Sequence, residues 1–526
     1  MNIKILDCTL RDGGYVNNWG FGEIAIKRII SKLSNANIDI IECGFLTTNG
    51  GDKNTSLFND VSKIRDYIGA KNKDIMYVAM IAYPNNIVVN IPECDGNSID
   101  GIRVTFHEHE IDEAMSVCKE LKDKGYKVFV QPVGLTSYND YSILKLIEKV
   151  NLLNPYSFYI VDTLGTMYKN DLLRTYYLID NNLNKDINIG FHSHNNLQLS
   201  FSNAQELAMI QTTRTIIIDS SVFGMGRGAG NLCTELLAEY INNNIEKRYN
   251  TECLLEIIDD HLNSIYAKYP WGYSAPYCLA AINNCHPNYA SYLMEKQTIT
   301  VKSISDILKK LDNEKRSLFD KKYIEEVYIQ YQKNFVDDSK ELEKIKKSIG
   351  DKKVLILAPG KSIEYNMENI NEFIEKEDLF VISINFIPRK VKVNSVFISN
   401  YKRFENIEYF DYNMDKLSII LTSNIMTENK ANYSIVNYSD LLVDESIISD
   451  NAGLMLINLL KRLMIREVYI AGFDGYSIDK ENYVSENMEL VKNNENIDTI
   501  NEAIKNKIKE LKKNLDINFI TESKYN

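Results

Sequence analysis

"IKILDCTL", residues 3–10, is an apolar run that stops at "RDGG", residues 11–14. It does not alternate, so it reads as a strand buried on both faces, the pattern of a parallel sheet. An arginine, an aspartate and two glycines at its end fit an ordinary turn or the mouth of an active site. Seven further runs of the same kind follow: "IDIIECGF" (38–45), "DIMYVAMIA" (74–82), "GIRVTF" (101–106), "KVFVQPVG" (127–134), "SFYIVDTLG" (157–165), "INIGFHSH" (187–194) and "TIIIDSSVFGMG" (215–226). Amphipathic stretches such as "GEIAIKRIISKLSNAN" and "HEIDEAMSVCKELKDKG" separate most of them. Eight such units in about 230 residues predict a TIM (β/α)8 barrel. A doubly wound sheet usually stops at about five or six strands.

A chain of 526 residues exceeds one ordinary core, so two or three domains are expected. With 60 Lys and Arg against 72 Asp and Glu, the net charge is −12. That balance argues against a chain-wide nucleic-acid surface. Met1 leads directly into the first strand, without the pattern of a signal peptide, and no run has the length of a membrane span. The eight cysteines are scattered with no C-x-x-C pair, the usage of reduced thiols. A cytoplasmic protein is expected.

Barrel chemistry sits at the C-terminal ends of the strands. The polar residues there are Arg11, Asp12, Glu42, Arg103, Gln131, Asp162, Thr163, His192 and His194, with Asn231 beyond the eighth strand. In "FHSHNN" (191–196), His192 and His194 stand two apart on a strand and face the same side. Alone, the pair reads as a surface feature. With Asp12 supplying a hard oxygen, it reads as a site for Mn²⁺ or Mg²⁺ with positions open to water and substrate. Arg11 beside such an ion would stabilise an enolate or oxyanion forming on a 2-oxo acid. "FGMGRGAGN" (223–231) carries four glycines in nine residues. It reads either as a plain glycine turn or as a loop over the substrate, with Arg227 holding an anion and Asn231 a further oxygen ligand. "HEHE" (107–110) puts His107 near the mouth, although its two glutamates read as a solvated helix start.

"LDCTLRDGG", "IIECGF", "DTLG", "FHSHNN" and "GMGRGAGN", in this order and on these strands, resemble the metallolyase barrel superfamily of 4-hydroxy-2-oxovalerate aldolase, 3-hydroxy-3-methylglutaryl-CoA lyase and isopropylmalate synthase. The resemblance covers roughly residues 1–290 and is nearest to the aldolase-type catalytic domain. It implies a divalent metal on Asp12, His192 and His194, with Arg11 on the pyruvate enolate, Glu42 as a mouth carboxylate and Asn231 as a further ligand. The aldolases place a histidine just after the R-D-G turn as acid/base. This chain has Gly14-Tyr15 there. Tyr15, a water, His107 or a residue of the following segment is left for that role. "PWGYSAPYCLAAINNCHPNYASYL" (270–293) offers Tyr289 where the aldolases bring in a tyrosine, although most of this stretch reads as an aromatic helix packed on the barrel.

Residues 241–349 read as a helical extension and linker after a barrel spanning 1–240. "KKVLILAPGKSI" (352–363) then starts a second α/β module, 350–526. Further strands are expected in "LFVISINFIP", "VNSVFISN", "LSIILTSN" and "EVYIAGFDGYS", with a helix in "DNAGLMLINLLKRLMI". Together they make an open, Rossmann-like sheet. "APGKSI" and the stretch from "NAGLML" to "FDGYS" resemble the nucleotide-sugar-binding domain of bacterial sialyltransferases. That resemblance implies Gly360, Lys361 and Ser362 near nucleotide phosphates, and Asn385 and Asn451 near the nucleotide. The sialyltransferases use a histidine in this domain, whereas the last histidine here is His286.

Three functions follow. The first is a metal-dependent aldolase or lyase acting on a 2-oxo acid and an aldehyde, in cell-surface carbohydrate biosynthesis if the tail holds a nucleotide-sugar. The second is a synthase condensing an acyl-CoA with a 2-oxo acid. The third is a nucleotide-sugar-binding or glycosyltransferase-like protein on a non-catalytic barrel. A homo-oligomer is expected.

Overall fold

The computed structural model describes residues 2–84, 91–296, 299–333, 336–409, 417–425, 427, 433–477, 481–484, 488 and 497–526. The chain divides into two compact units, Met1–Ala290 with Asp312–Phe319, and Ser291–Leu311 with Asp320–Asn526.

The first unit contains the barrel. Its strands are β1 (Ile3–Asp7), β2 (Ile40–Leu46), β3 (Met76–Ala82), β4 (Gly101–Phe106), β5 (Lys127–Pro132), β6 (Ser157–Asp162), β7 (Asn188–Ser193) and β8 (Ile216–Ser220). Each strand pairs in parallel with the next, and β1 closes the ring with β8 through Ile3↔Ile216 to Asp7↔Ser220. A two-residue strand, Leu57–Phe58, adds to the edge of β2. All eight barrel strands expected from the apolar runs are present.

Helices fill the connections because their apolar faces recur at helical spacing. In Glu23–Asn35, for example, Ile26, Ile29, Ile30 and Leu33 are buried. Outward strand residues and these helix faces form one large core. A smaller cluster of Leu6, Cys8, Ile40, Met76, Val78, Phe129, Tyr159, Val161 and Ile217 is also buried.

The second unit holds β9 (Lys353–Leu357), β10 (Leu379–Ile384), β11 (Ser395–Ile398), β12 (Ser418–Thr422), β13 (Ser434–Val436), β14 (Glu467–Ala471) and β15 (Asp516–Phe519). All pairings are parallel, in the order β13-β12-β11-β10-β9-β14-β15. The chain runs outward from β9 to β13 and then crosses to β14, so the topological switch lies beside β9. Two glycines let the backbones meet there. A Cβ on Gly360 would lie 2.2 Å from the Gly472 carbonyl, and one on Gly472 2.1 Å from the Ala358 carbonyl. The expectation of five strands falls short by β13 and β15, which are only three and four residues long.

Candidate active site

At the end of β1 the chain turns at once. The Asp12 backbone N–H donates to the Cys8 carbonyl at 2.8 Å, and Gly13–Tyr15 form a 3₁₀ turn. Gly14 is required because a Cβ would sit 2.0 Å from the Trp19 ring. Trp19 in turn donates its ring N–H to the Arg11 carbonyl at 2.8 Å. The turn thereby presents the Arg11 and Asp12 side chains to the barrel mouth.

Asp12, His192 and His194 come together there, each buried, with one potential ligand atom from each lying within 4.8 Å of the others. The His194 Nδ1 lies 4.0 Å from Asp12 Oδ2 and has no hydrogen-bond partner among the described residues. Asn231 donates to Asp12 Oδ2 at 2.7 Å and leaves its own buried Oδ1 without a partner. Burial pushes the His194 imidazole down to about 3, despite the pull of Asp12, so the ring is neutral and offers a lone pair. Burial opposes the charge on Asp12, but Arg11, the two histidines and the Asn231 hydrogen bond together outweigh it and hold the carboxyl well below its usual range. A buried acid, two imidazoles and orphaned N and O acceptors form a donor set that fits a divalent cation.

Arg11 lies in the same cluster. It donates to Asp12, and its Nε donates to Glu42 Oε2 at 2.8 Å, while Nη2 has no partner among the described residues. Glu42 comes from a bulge in β2, where the register shifts between Glu42 and Phe45. Arg103 donates to the same Glu42 oxygen at 2.7 Å and also to Asp219.

The remaining expected residues divide into two groups. Gln131 is buried with its Nε2 unpartnered, as a group that receives a ligand would be. Arg227 makes no ion pair or side-chain hydrogen bond among the described residues, and its guanidinium lies 5.3 Å from the centroid of the Tyr15 ring. A Cβ on Gly226, next to it, would lie 3.3 Å from Asp12 Oδ2. Tyr15 also packs on Trp19, and burial chiefly raises its hydroxyl above the ordinary phenol value. Tyr15 therefore suits proton donation better than proton abstraction.

Others are spent on the protein's own chain. Arg103, expected to touch substrate, is fully buried between Glu42 and Asp219. Asp162 accepts the Thr166 and Met167 N–H groups, both at 3.0 Å, and so organises the loop after β6. Thr163 accepts the Gly134 N–H at 2.8 Å. His107 caps a short helix, its N–H donating to Glu110 at 2.8 Å, and its ring stacks on His109. Tyr289 is fully buried, with its hydroxyl held at the Lys315 and Leu318 carbonyls, which makes it a packing residue rather than a mouth residue.

Two residues escaped the sequence reading. Asp219 on β8 meets His192 Nδ1 at 2.9 Å. Asn196 ties the mouth loops together, donating to the Leu164 carbonyl and accepting the Ala229 N–H. The one available signal for Asp219 was an acid inside the apolar run "TIIIDSS".

In the second unit, a cavity of about 360 Å³ opens at the C-terminal ends of β9, β10, β11 and β14. Gly360, Asn385 and Asn451 line it, together with Arg403 and Asp474. Lys361 and Ser362, expected near phosphates, are engaged elsewhere. The Lys361 ammonium lies 2.8 Å from both Glu364 and Glu481. The Ser362 N–H and hydroxyl both donate to Asp474, which takes the place of an external anion.

No helix among the described residues is long and apolar enough to cross a membrane. Residues 2–260 match the family model described as HMGL-like. A 4-hydroxy-2-oxovalerate aldolase of Geobacillus genomosp. 3 is 29% identical over 248 residues, which is 46% of this chain and 70% of that protein. An oxaloacetate decarboxylase of Mycobacterium tuberculosis is 27% identical over 237 residues, 44% of this chain and 68% of that protein. Among solved structures, the carboxyl transferase domain of Rhizobium etli pyruvate carboxylase aligns with a TM-score of 0.44 at 13% identity, covering 59% of this chain and 56% of that one. On its mouth geometry and its sequence together, the barrel of this chain, residues 2–260, is similar to the HMGL-like family.

Proposed function

We propose that the barrel is a divalent-metal-dependent carbon–carbon lyase of the aldolase type, acting next to the carbonyl of a 2-oxo acid through an enolate. The observation that carries this reading is the buried Asp12, His192 and His194 cluster with Arg11 hydrogen-bonded into it. A divalent ion, Mn²⁺ or Mg²⁺, held by these residues with Asn231 nearby would polarise the 2-oxo group and lower the cost of enolate charge. Arg11, fixed by Asp12 and Glu42, keeps Nη2 for the oxygen that becomes negative. Tyr15, protonated at neutral pH, donates its proton to the aldehyde oxygen as the carbon–carbon bond forms and regains one from solvent afterwards. Gln131, whose buried Nε2 has no partner among the described residues, and Arg227 position the substrate. The two curated relatives fit one chemistry. Cleaving a 4-hydroxy-2-oxo acid and decarboxylating a 3-carboxy-2-oxo acid leave the same enolate.

Exchange of pyruvate's methyl protons with deuterium tests this without the second substrate being known. Exchange is expected with Mn²⁺ present and is expected to vanish with a chelator or in Asp12→Asn. Metal-independent exchange, or none in the metal-loaded protein, would overturn the reading.

We propose further that the cavity beside β9 holds a nucleotide or nucleotide-sugar, with Gly360, Asn385 and Asn451 as its contacts. Its support is the position of the cavity at the switch point of a parallel sheet, where such folds bind ligands. On that reading the lyase serves carbohydrate assembly.

A further inference from the structure

Buried charges close a ring through the mouth of the barrel. Arg11 joins Asp12 to Glu42, and Arg103 joins Glu42 to Asp219. Asp219 meets His192, and His192 lies in one ligand cluster with Asp12. Every member is at most 5% exposed. Asp219 itself is 2% exposed and engages Arg103 and His192 through the same oxygen, Oδ2. An acid so enclosed acts on a substrate only through the groups it holds.

A neutral imidazole has one N–H and one lone pair. In His192 the Nδ1 lies 2.9 Å from the Asp219 carboxylate, which only accepts. The proton therefore belongs on Nδ1 and the lone pair on Nε2, since the other tautomer would set a lone pair against an anion. His194 differs. Its Nδ1 has no hydrogen-bond partner among the described residues and lies 4.0 Å from the nearest carboxylate oxygen, on Asp12. Only one of the two histidines is thus oriented by an acid behind it.

We propose that Asp219 is the positioning residue of the metal centre. It accepts the hydrogen bond that His192 Nδ1–H donates, fixes Nε2 as the nitrogen presented to the ion, and is itself held in place by Arg103. This rests on the metal reading above. It also gives Arg103 a role other than substrate contact: the counter-ion that keeps Asp219 charged and aimed.

The test uses the full chain labelled with ¹⁵N-histidine. Long-range ¹H–¹⁵N spectra of the metal-free protein read the His192 tautomer, assigned by its loss in His192→Gln. Titration with Mn²⁺ reads affinity, and thermal melting reads general damage. Removing the Asp219 charge leaves Arg11 and Arg103 facing Asp12 and Glu42, two charges of each sign, so no buried charge is left unbalanced. Asp219→Leu is expected to lose the fixed Nδ1–H tautomer and to weaken Mn²⁺ binding about 10–100-fold, the range for removing such a partner. Asp219→Asn keeps an oxygen acceptor, and is expected to keep the tautomer and lose less affinity. Unchanged Mn²⁺ affinity in Asp219→Leu, or in Asp219→Ala if the leucine variant does not fold, overturns the proposal. So does an unchanged tautomer in Asp219→Leu. If the unsubstituted protein binds no Mn²⁺, the metal reading fails, and the metal-free tautomer still decides whether Asp219 orients His192.

Discussion

Arg11 divides one guanidinium among three tasks. Nη1 meets Asp12, Nε meets Glu42, and Nη2, without a partner among the described residues, takes the substrate oxygen on the proposed reading. Lysine offers a single ammonium on a flexible stem and cannot make the two fixed contacts while presenting a third donor. Arg11→Lys is therefore expected to lower the rate of pyruvate methyl exchange about 10²–10³-fold, the size of losing one aimed oxyanion donor. Mn²⁺ affinity should change far less, because Asp12, His192 and His194 remain. Exchange within a few-fold of the unsubstituted protein would remove Arg11 from the chemistry. At this scale the sequence marked Arg11, Asp12, His192 and His194 because strand ends and an i, i+2 spacing convert directly into geometry. It marked Arg103, Asp162 and Thr163 by the same rule, and Lys361 and Ser362 by resemblance, and for these neither guide was sufficient. Position along a strand says that a polar group faces the mouth. It does not say whether the chain itself already satisfies that group, as Glu42 and Asp219 do for Arg103, or as Asp474 does for Ser362. Asp219 was missed for the converse reason: one acid in an apolar strand carries no local sign of its partner 27 residues away.

The strands were the most legible elements, since eight apolar runs became eight parallel strands. Strands β13 and β15, three and four residues long, were not expected from the sequence. How the elements are fastened to each other was also hidden. Asp7, the last residue of β1, accepts the Thr9 N–H at 3.0 Å and the Thr234 hydroxyl at 2.7 Å, tying the strand to the helix after the glycine-rich loop. Burial raises its carboxyl from 3.8 to about 6, against the opposing hydrogen bonds from Thr234 and Thr9. The folded pKa thus exceeds the unfolded one. Keeping Asp7 ionised then costs stability at pH above about 6, and the cost disappears below the unfolded value, where both states are protonated. Asparagine keeps the acceptor for Thr9 and removes the charge. Asp7→Asn is expected to stabilise the chain at pH 8 by about 1–3 kcal/mol, at roughly 1.4 kcal/mol per pKa unit. At pH 3 the advantage should be gone. Denaturant melts at the two pH values check this, and an advantage equal at both would show that burial of charge is not its source.

The two units have separate cores and separate parallel sheets, so a ligand of one is expected to act on that unit's unfolding. The barrel mouth gathers its polar atoms around one cluster of potential ligands, with orphaned donors and acceptors in view of it. The second unit gathers its cavity at a sheet crossing whose glycines allow β9 and β14 to touch. Linkage tests which ligand the cavity takes. A ligand at about 100 times its Kd stabilises the folded state by about 2.7 kcal/mol. In the full chain, Mn²⁺ is expected to raise the melting of the barrel, and a cytidine or uridine nucleotide that of the second unit. Because two cores are involved, each transition has to be followed by its own probe. Trp19 and Trp271 both lie in the barrel unit, so tryptophan fluorescence follows that core, while calorimetry records both. A nucleotide that moves only the transition invisible to fluorescence supports the cavity as its site. No shift with CMP, UMP, CDP or UDP removes the nucleotide reading, and with it the link to carbohydrate assembly, while leaving the lyase untouched.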